Sequence, residues 1–218
     1  MKKLIVLLVF AFMALMIVSS QSWALVWDFK SDNKDWKPVT GEWSIKDGEY
    51  IQSQRGVSAV RTFVGDANWT DYTVETKIKV TENSYAGLMF RAQSELEYHV
   101  FYINVTENAC EWWHHTKPNP DSRVQHFKQP PVKVKIELNK QYTLKVVAQG
   151  TDFTFYIDDV EQKVDKSDIY PNGKIGLWAW DTKVSFDDVR ISGKGIPESA
   201  AVSLNGKLPA IWAKIKAE

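Results

Sequence analysis

Cysteine is nearly missing from this chain: Cys110 is the single one in 218 residues. No intrachain disulfide can form, so stability has to come from packing. An excess of either charge is missing too, with 27 basic against 27 acidic side chains. That balance argues against a nucleic acid or an anionic membrane surface as a partner, since either would require a basic stripe. From Trp27 to Ser192 there is no sustained helical period, which excludes a helix bundle and alternating βαβ units. The hydrolase motifs G-x-S-x-G and H-E-x-x-H are absent as well. Tryptophan, by contrast, is abundant: ten are present, enough for a large aromatic core, a stacking surface for ligands, or both.

The first residues have the pattern of a secretory leader. Lys2 and Lys3 precede an apolar run from Leu4 to Val18, and Ser22-Trp23-Ala24 places small residues at the −3 and −1 positions of a cleavage site. The run is shorter than the ~20 residues a membrane span needs. Residues 1–24 are therefore expected to be a signal peptide, and the mature chain to be secreted or periplasmic with no span left after cleavage. No cysteine follows the apolar run, so a lipoprotein anchor is not expected. Without Lys2 and Lys3 the count is 25 basic against 27 acidic, a net charge of −2. Leader and tail have a bacterial look, so the Asn-x-Thr sequons at Asn68 and Asn104 are given no weight.

The body reads as short alternating segments divided by turn residues. "EWSIKDGEYIQSQ" places Lys46-Asp47-Gly48-Glu49 between two alternating runs, a hairpin signal, and "DYTVETKIKV" alternates over five pairs. "YAGLMFRAQ", "EYHVFYINV" and "ACEWWHHT" follow, then five further segments ending with "KVSFDDVRIS". This pattern predicts an all-β fold: an antiparallel β-sandwich, or jelly roll, of two packed sheets spanning residues 25–192. "GKGIPES" then reads as a linker. In residues 193–218 the helical spacing of Leu208, Ile211, Trp212 and Ile215 predicts a short amphipathic C-terminal helix.

Three stretches carry a family resemblance: "YAGLMFRAQSELEYHVFYINV", "YTLKVVAQGTDFTFYIDDVEQKV" and "YPNGKIGLWAWDTKVSFDDVRIS". They resemble the concanavalin A-like lectin/glucanase superfamily, in particular laminin-G-like modules, bacterial 3-keto-disaccharide hydrolase domains and the thrombospondin C-terminal domain. The resemblance covers about residues 26–192. It implies a jelly-roll sandwich with a concave sheet that receives a glycan, on a superfold that hosts binders, adhesion modules and hydrolases alike.

Alternation assigns the faces of the strands. Leu88 and Phe90 read as core, leaving Met89 and Arg91 opposite; a buried arginine is costly, so Arg91 is expected on the ligand side. By the same logic Tyr98 and Tyr102, Trp113 and His115, and Trp178 and Trp180 face away from the core. Gathered on one sheet, these seven residues form the candidate ligand site, with aromatic rings stacking on sugar faces and arginine bonding hydroxyls. "TKPNPDSRVQHFKQPP" reads as a rim loop after the aromatic strand.

Catalysis has weaker support. The E-x-D-x-x-E strand of sandwich glycosidases would fall on Tyr156, Asp158 and Glu161, where the first carboxylate is a tyrosine and Asp158-Asp159 reads as a turn. Glu75, Glu111, Glu137 and Asp181 stand isolated. A transition metal is disfavoured because His114 and His115 are adjacent and point to opposite faces of a strand. A structural calcium is the candidate cofactor, with Asp28 and Asp187 as its donors. The expected function is non-catalytic glycan binding. The alternatives are a glycoside hydrolase of the 3-keto-disaccharide type and a module adhering to an envelope or extracellular protein.

Overall fold

A computed structural model describes residues 23–82, 84–127 and 131–197. The expected leader lies outside these residues up to position 22, and the expected C-terminal helix lies outside them from 198 onward. In chain order the strands are β1 (Leu25–Trp27), β2 (Lys37–Thr40), β3 (Trp43–Lys46), β4 (Glu49–Gln52), β5 (Val60–Val64), β6 (Tyr72–Val80), β7 (Tyr85–Ala92) and β8 (Tyr98–Asn104). They continue as β9 (Ala109–His115), β10 (Arg123–Gln125), β11 (Val132–Lys133), β12 (Gln141–Gln149), β13 (Asp152–Ile157), β14 (Val160–Lys166), β15 (Lys174–Trp180) and β16 (Val184–Gly193).

Two antiparallel sheets of eight strands result. The first runs β14-β13-β12-β6-β16-β4-β3, with β1 also on β16; the second runs β10-β9-β8-β7-β15-β5-β2, with β11 also on β9. Tight turns set the hairpin registers. Asp47-Gly48 joins β3 to β4, and Asp158-Asp159 joins β13 to β14 with φ of 50° and 61° at the two aspartates. Both central residues of such a turn must take positive φ, which aspartate tolerates better than most residues. Asp158 therefore belongs to a turn and not to a catalytic strand.

The core forms between the sheets from every second residue. β6 gives Tyr72, Val74, Ile78 and Val80; β8 gives Phe101 and Ile103; β9 gives Cys110 and Trp112; β15 gives Ile175, Leu177 and Ala179. Burial in this apolar layer pushes the Cys110 thiol up to about 12, so it packs as a small hydrophobe rather than reacting. Among the described residues no helix is long and apolar enough to cross a membrane.

Candidate functional site

The outward faces of the two sheets differ in character. On the first sheet they carry ion pairs such as Lys77–Asp188 at 2.6 Å, Lys79–Glu49 at 2.7 Å and Arg190–Asp188 at 3.1 Å. On the second they carry a separate cluster built around Phe63, Met89, Tyr98, Val100, Tyr102 and Trp178, with Tyr85, Trp113 and Trp180 packed against it. Alternation puts them there: while Cys110 and Trp112 enter the core, Glu111, Trp113 and His115 must leave it.

The rings on this face form a continuous layer. Tyr98 stacks on His115 at 4.6 Å, Tyr102 on Trp178 at 5.3 Å, and Trp178 tilts toward Trp180 at 5.9 Å between centroids. Gly87 makes the second contact possible. It sits on β7 between Tyr102 on β8 and Trp178 on β15. A β-carbon there would come within 2.2 Å of the Phe101 carbonyl and 2.5 Å of Tyr102. Its missing side chain lets the two flanking rings close over the strand.

Depth divides the layer in two. Tyr98, His115 and Trp178 are 0, 1 and 2% exposed and form a floor, whereas Trp113 and Trp180 are half-buried and Arg123 is exposed. Short connections cover the floor: Arg61 donates to the Glu95 carbonyl at 2.6 Å, and His115 Nδ1 bonds the Pro120 carbonyl at 2.9 Å. A carbonyl only accepts, so Nδ1 carries the proton and Nε2 is left as an acceptor. His115 Nε2, the Tyr98 hydroxyl and the Trp178 Nε1 are buried without a hydrogen bond of ordinary geometry among the described residues. Burial raises the Tyr98 pKa well above the ordinary tyrosine value and lowers His115 to about 4.

Glu111 is the carboxylate of this face, 6% exposed. Its Oε1 accepts from Asn104 Nδ2 at 3.1 Å, and its Oε2 from Trp113 Nε1 at 3.0 Å and Gln125 Nε2 at 3.2 Å. It thereby fixes the Trp113 indole. Burial first, then the Glu111 charge, raises the Tyr102 pKa.

Arg91 is not part of this face, contrary to expectation. A register irregularity between β7 and β15 and a φ of 47° at Arg91 turn its side chain inward, where it is 1% exposed. Its guanidinium donates to the Gly150 and Thr70 carbonyls at 2.6 and 3.1 Å, lies 3.6 Å from Asp71 and sits over the Phe153 ring. It ties the end of the second sheet to the first, and burial lowers its pKa despite the opposing pull of Tyr72 and Asp71.

The calcium expectation at Asp28 and Asp187 finds no donor group either. Among the described residues no three His, Cys, Asp or Glu side chains are grouped to hold a metal ion. Asp28 pairs with Lys30 at 3.2 Å, and Asp187 accepts the Asp188 N–H at 2.7 Å. His99, His114 and His126 do gather, at the core side of β8 and β9, but both nitrogens of His99 and one each of His114 and His126 are bonded within the protein. His99 Nδ1 accepts from Trp112 Nε1 at 3.2 Å, His99 Nε2 bonds the Ile169 carbonyl at 2.8 Å, and His114 Nδ1 meets His126 Nε2 at 2.8 Å.

The profile of the 3-keto-alpha-glucoside-1,2-lyase-like domain matches residues 22–192. The chain belongs to this family. It is also 28% identical to a levanase of Bacillus subtilis (strain 168) over 167 residues, 74% of this chain and 23% of that protein. It is 25% identical to an extracellular exo-alpha-L-arabinofuranosidase of Streptomyces chartreusis, over 62% of this chain and 16% of that one. The chain thus spans less than a quarter of either relative. Among solved structures it is similar to carbohydrate-binding module CBM66 from Bacillus subtilis, with a TM-score of 0.65, 20% identity, and coverage of 73% of this chain and 96% of that one. A Bacillus licheniformis beta-glucanase follows at a TM-score of 0.58 and 12% identity, with 80% and 100% covered. These likenesses show the lectin/glucanase-type sandwich.

In this family member the site has parts that strand reading missed. Arg123 and Gln125 lie on β10, which pairs with His115 to Trp113 of β9 inside the stretch read as a rim loop. Three residues are too few for alternation to register. The signal available was the polar pair Arg123 and Gln125 flanking Val124, the spacing of two side chains on one strand face. Glu111 and Asn104 were visible as residues, but only the β8–β9 register shows that they meet.

Proposed function

We propose that this protein is a secreted, non-catalytic glycan-binding module whose ligand lies on the outer face of the second sheet. The observation that carries the reading is the aromatic layer there, with Trp113 and Trp180 at its surface and the buried rings beneath as a rigid floor. Stacking on such rings suits the apolar faces of sugars. The names of the relatives point the same way. The levanase is matched over a small part of its length, as an accessory binding domain would be. Retention on a panel of polysaccharides, run with calcium and again with chelator, tests the reading. Trp113→Ala and Trp180→Ala should each weaken retention at least tenfold while the melting temperature stays within a few degrees; unchanged retention in both would overturn the assignment of this face.

A second reading, an enzyme acting on a modified disaccharide, is favoured by the family's description and by the buried carboxylate of Glu111 on the same face. It requires product release that Glu111→Gln abolishes. Saturable binding to an envelope protein that free sugars do not compete would instead support adhesion.

A further inference from the structure

On the proposed glycan-binding face the outermost group is a cation. Arg123 lies with its guanidinium carbon 4.5 Å from the Trp180 ring centroid and 5.4 Å from that of Trp113. The guanidinium therefore covers the two indoles that a neutral sugar would need for stacking. Among the described residues Arg123 has no ion pair. The nearby carboxylate, Glu111, accepts from Asn104, Trp113 and Gln125, and no ion pair joins it to Arg123. Underneath lies a second guanidinium with no carboxylate: Arg61, 4% exposed, is held by the Glu95 and Ala59 carbonyls, each at 2.6 Å, and by Thr40 Oγ1 at 3.4 Å. The positive fields of both arginines reach Tyr98 and His115. Among the described residues neither of these two guanidinium groups is ion-paired with a carboxylate. A guanidinium only donates, and its planar fork matches a carboxylate with two parallel hydrogen bonds. Held within cation–π distance of two indoles, Arg123 has lost part of its rotamer freedom before any ligand arrives.

Resting on the glycan reading of this face, we infer that the preferred ligand is an anionic polysaccharide bearing sugar carboxylates, a uronate polymer, gripped by the Arg123 fork that Trp113 and Trp180 support from beneath. Neutral glycans must displace Arg123 to reach the rings, so removing its side chain has opposite consequences for the two ligand classes.

The test measures affinity of the purified protein, at low and at moderate salt, for polygalacturonate, for the same polymer fully methyl-esterified, for neutral levan and β-glucan, and for polyglutamate. The expected result is at least tenfold tighter binding to polygalacturonate than to its ester, weakened by salt. Arg123→Gln should lose that preference, Arg123→Lys should keep part of it, and Arg123→Gln should bind neutral glycans as well as or better than the parent. Equal binding of polygalacturonate and its ester, or an unaltered preference in Arg123→Gln, overturns the anionic ligand and leaves the glycan reading standing. No binding to any glycan by the folded parent overturns both. Polyglutamate bound as tightly as polygalacturonate shows a site for charge rather than sugar and overturns the uronate assignment. Thermal melts of each variant check folding, which the exposure of Arg123 favours.

Discussion

At the scale of single residues, depth decides what each aromatic ring does. Trp178 and Trp180 share a strand face, yet the first is buried and the second reaches solvent. Trp178→Ala should therefore behave as a core truncation, costing about 3–5 kcal/mol. In a domain of this size that lowers the melting temperature by roughly 6–20 °C. Trp180→Ala should barely move it. Equal melting temperatures for the two variants would contradict the division into floor and surface. Arg91 makes the complementary case. Arg91→Lys removes the fork that spans the Gly150 and Thr70 carbonyls and should cost on the order of 1–3 kcal/mol. At temperatures where it stays folded, its glycan retention should equal the parent's. A selective loss of retention would return Arg91 to the site. The sequence marked Arg91 as outward because charge is costly to bury, and that rule holds only when no carbonyls and carboxylate wait inside to receive it.

At the scale of elements, alternation was legible and its interruptions were not. The faces of β8, β9 and β15 follow directly from period two, so Tyr98, Tyr102, Trp113, His115, Trp178 and Trp180 reach one face as read. The irregularity that turns Arg91 inward depends on how β15 pairs with β7, which no local pattern announces. Strand β10 is three residues long and owes its conformation to the edge of β9. Gly87 also acquires meaning only from its neighbours across the sheet. Gly87→Ala would press a methyl against the Phe101 carbonyl and the Tyr102 backbone. It should cost about 1–3 kcal/mol through overpacking and separate the Tyr102 and Trp178 rings. The measurement is a urea midpoint together with near-ultraviolet circular dichroism. A variant with parental stability and an unchanged aromatic signal would show that the rings do not need this glycine.

At the scale of the molecule, the four histidines couple the fold to acidity. Burial is the first cause in each case. It lowers His99 to about 3 and His115 and His126 to about 4, and moves His114 in the same direction. The folded state therefore holds these rings neutral, while the unfolded chain takes up protons below the ordinary histidine value near 6.5. Their effect vanishes above that value, and stability falls as pH drops from about 6.5 toward 4, by at most about 1.4 kcal/mol per pH unit for each of the fully buried His99 and His115. Glu75 and Asp187, which burial raises, protonate earlier in the folded state and oppose part of this loss. Unfolding by urea should thus show a midpoint that declines from pH 7 to pH 5, before most carboxylates titrate. His126→Phe keeps a ring on Trp112, where the histidine now stacks at 3.8 Å, and removes one titrating group. Its midpoint should fall less steeply with acid than the parent's. Parallel slopes for His126→Phe, for His115→Phe and for the parent would show that the histidines are not what makes this sandwich sensitive to acid.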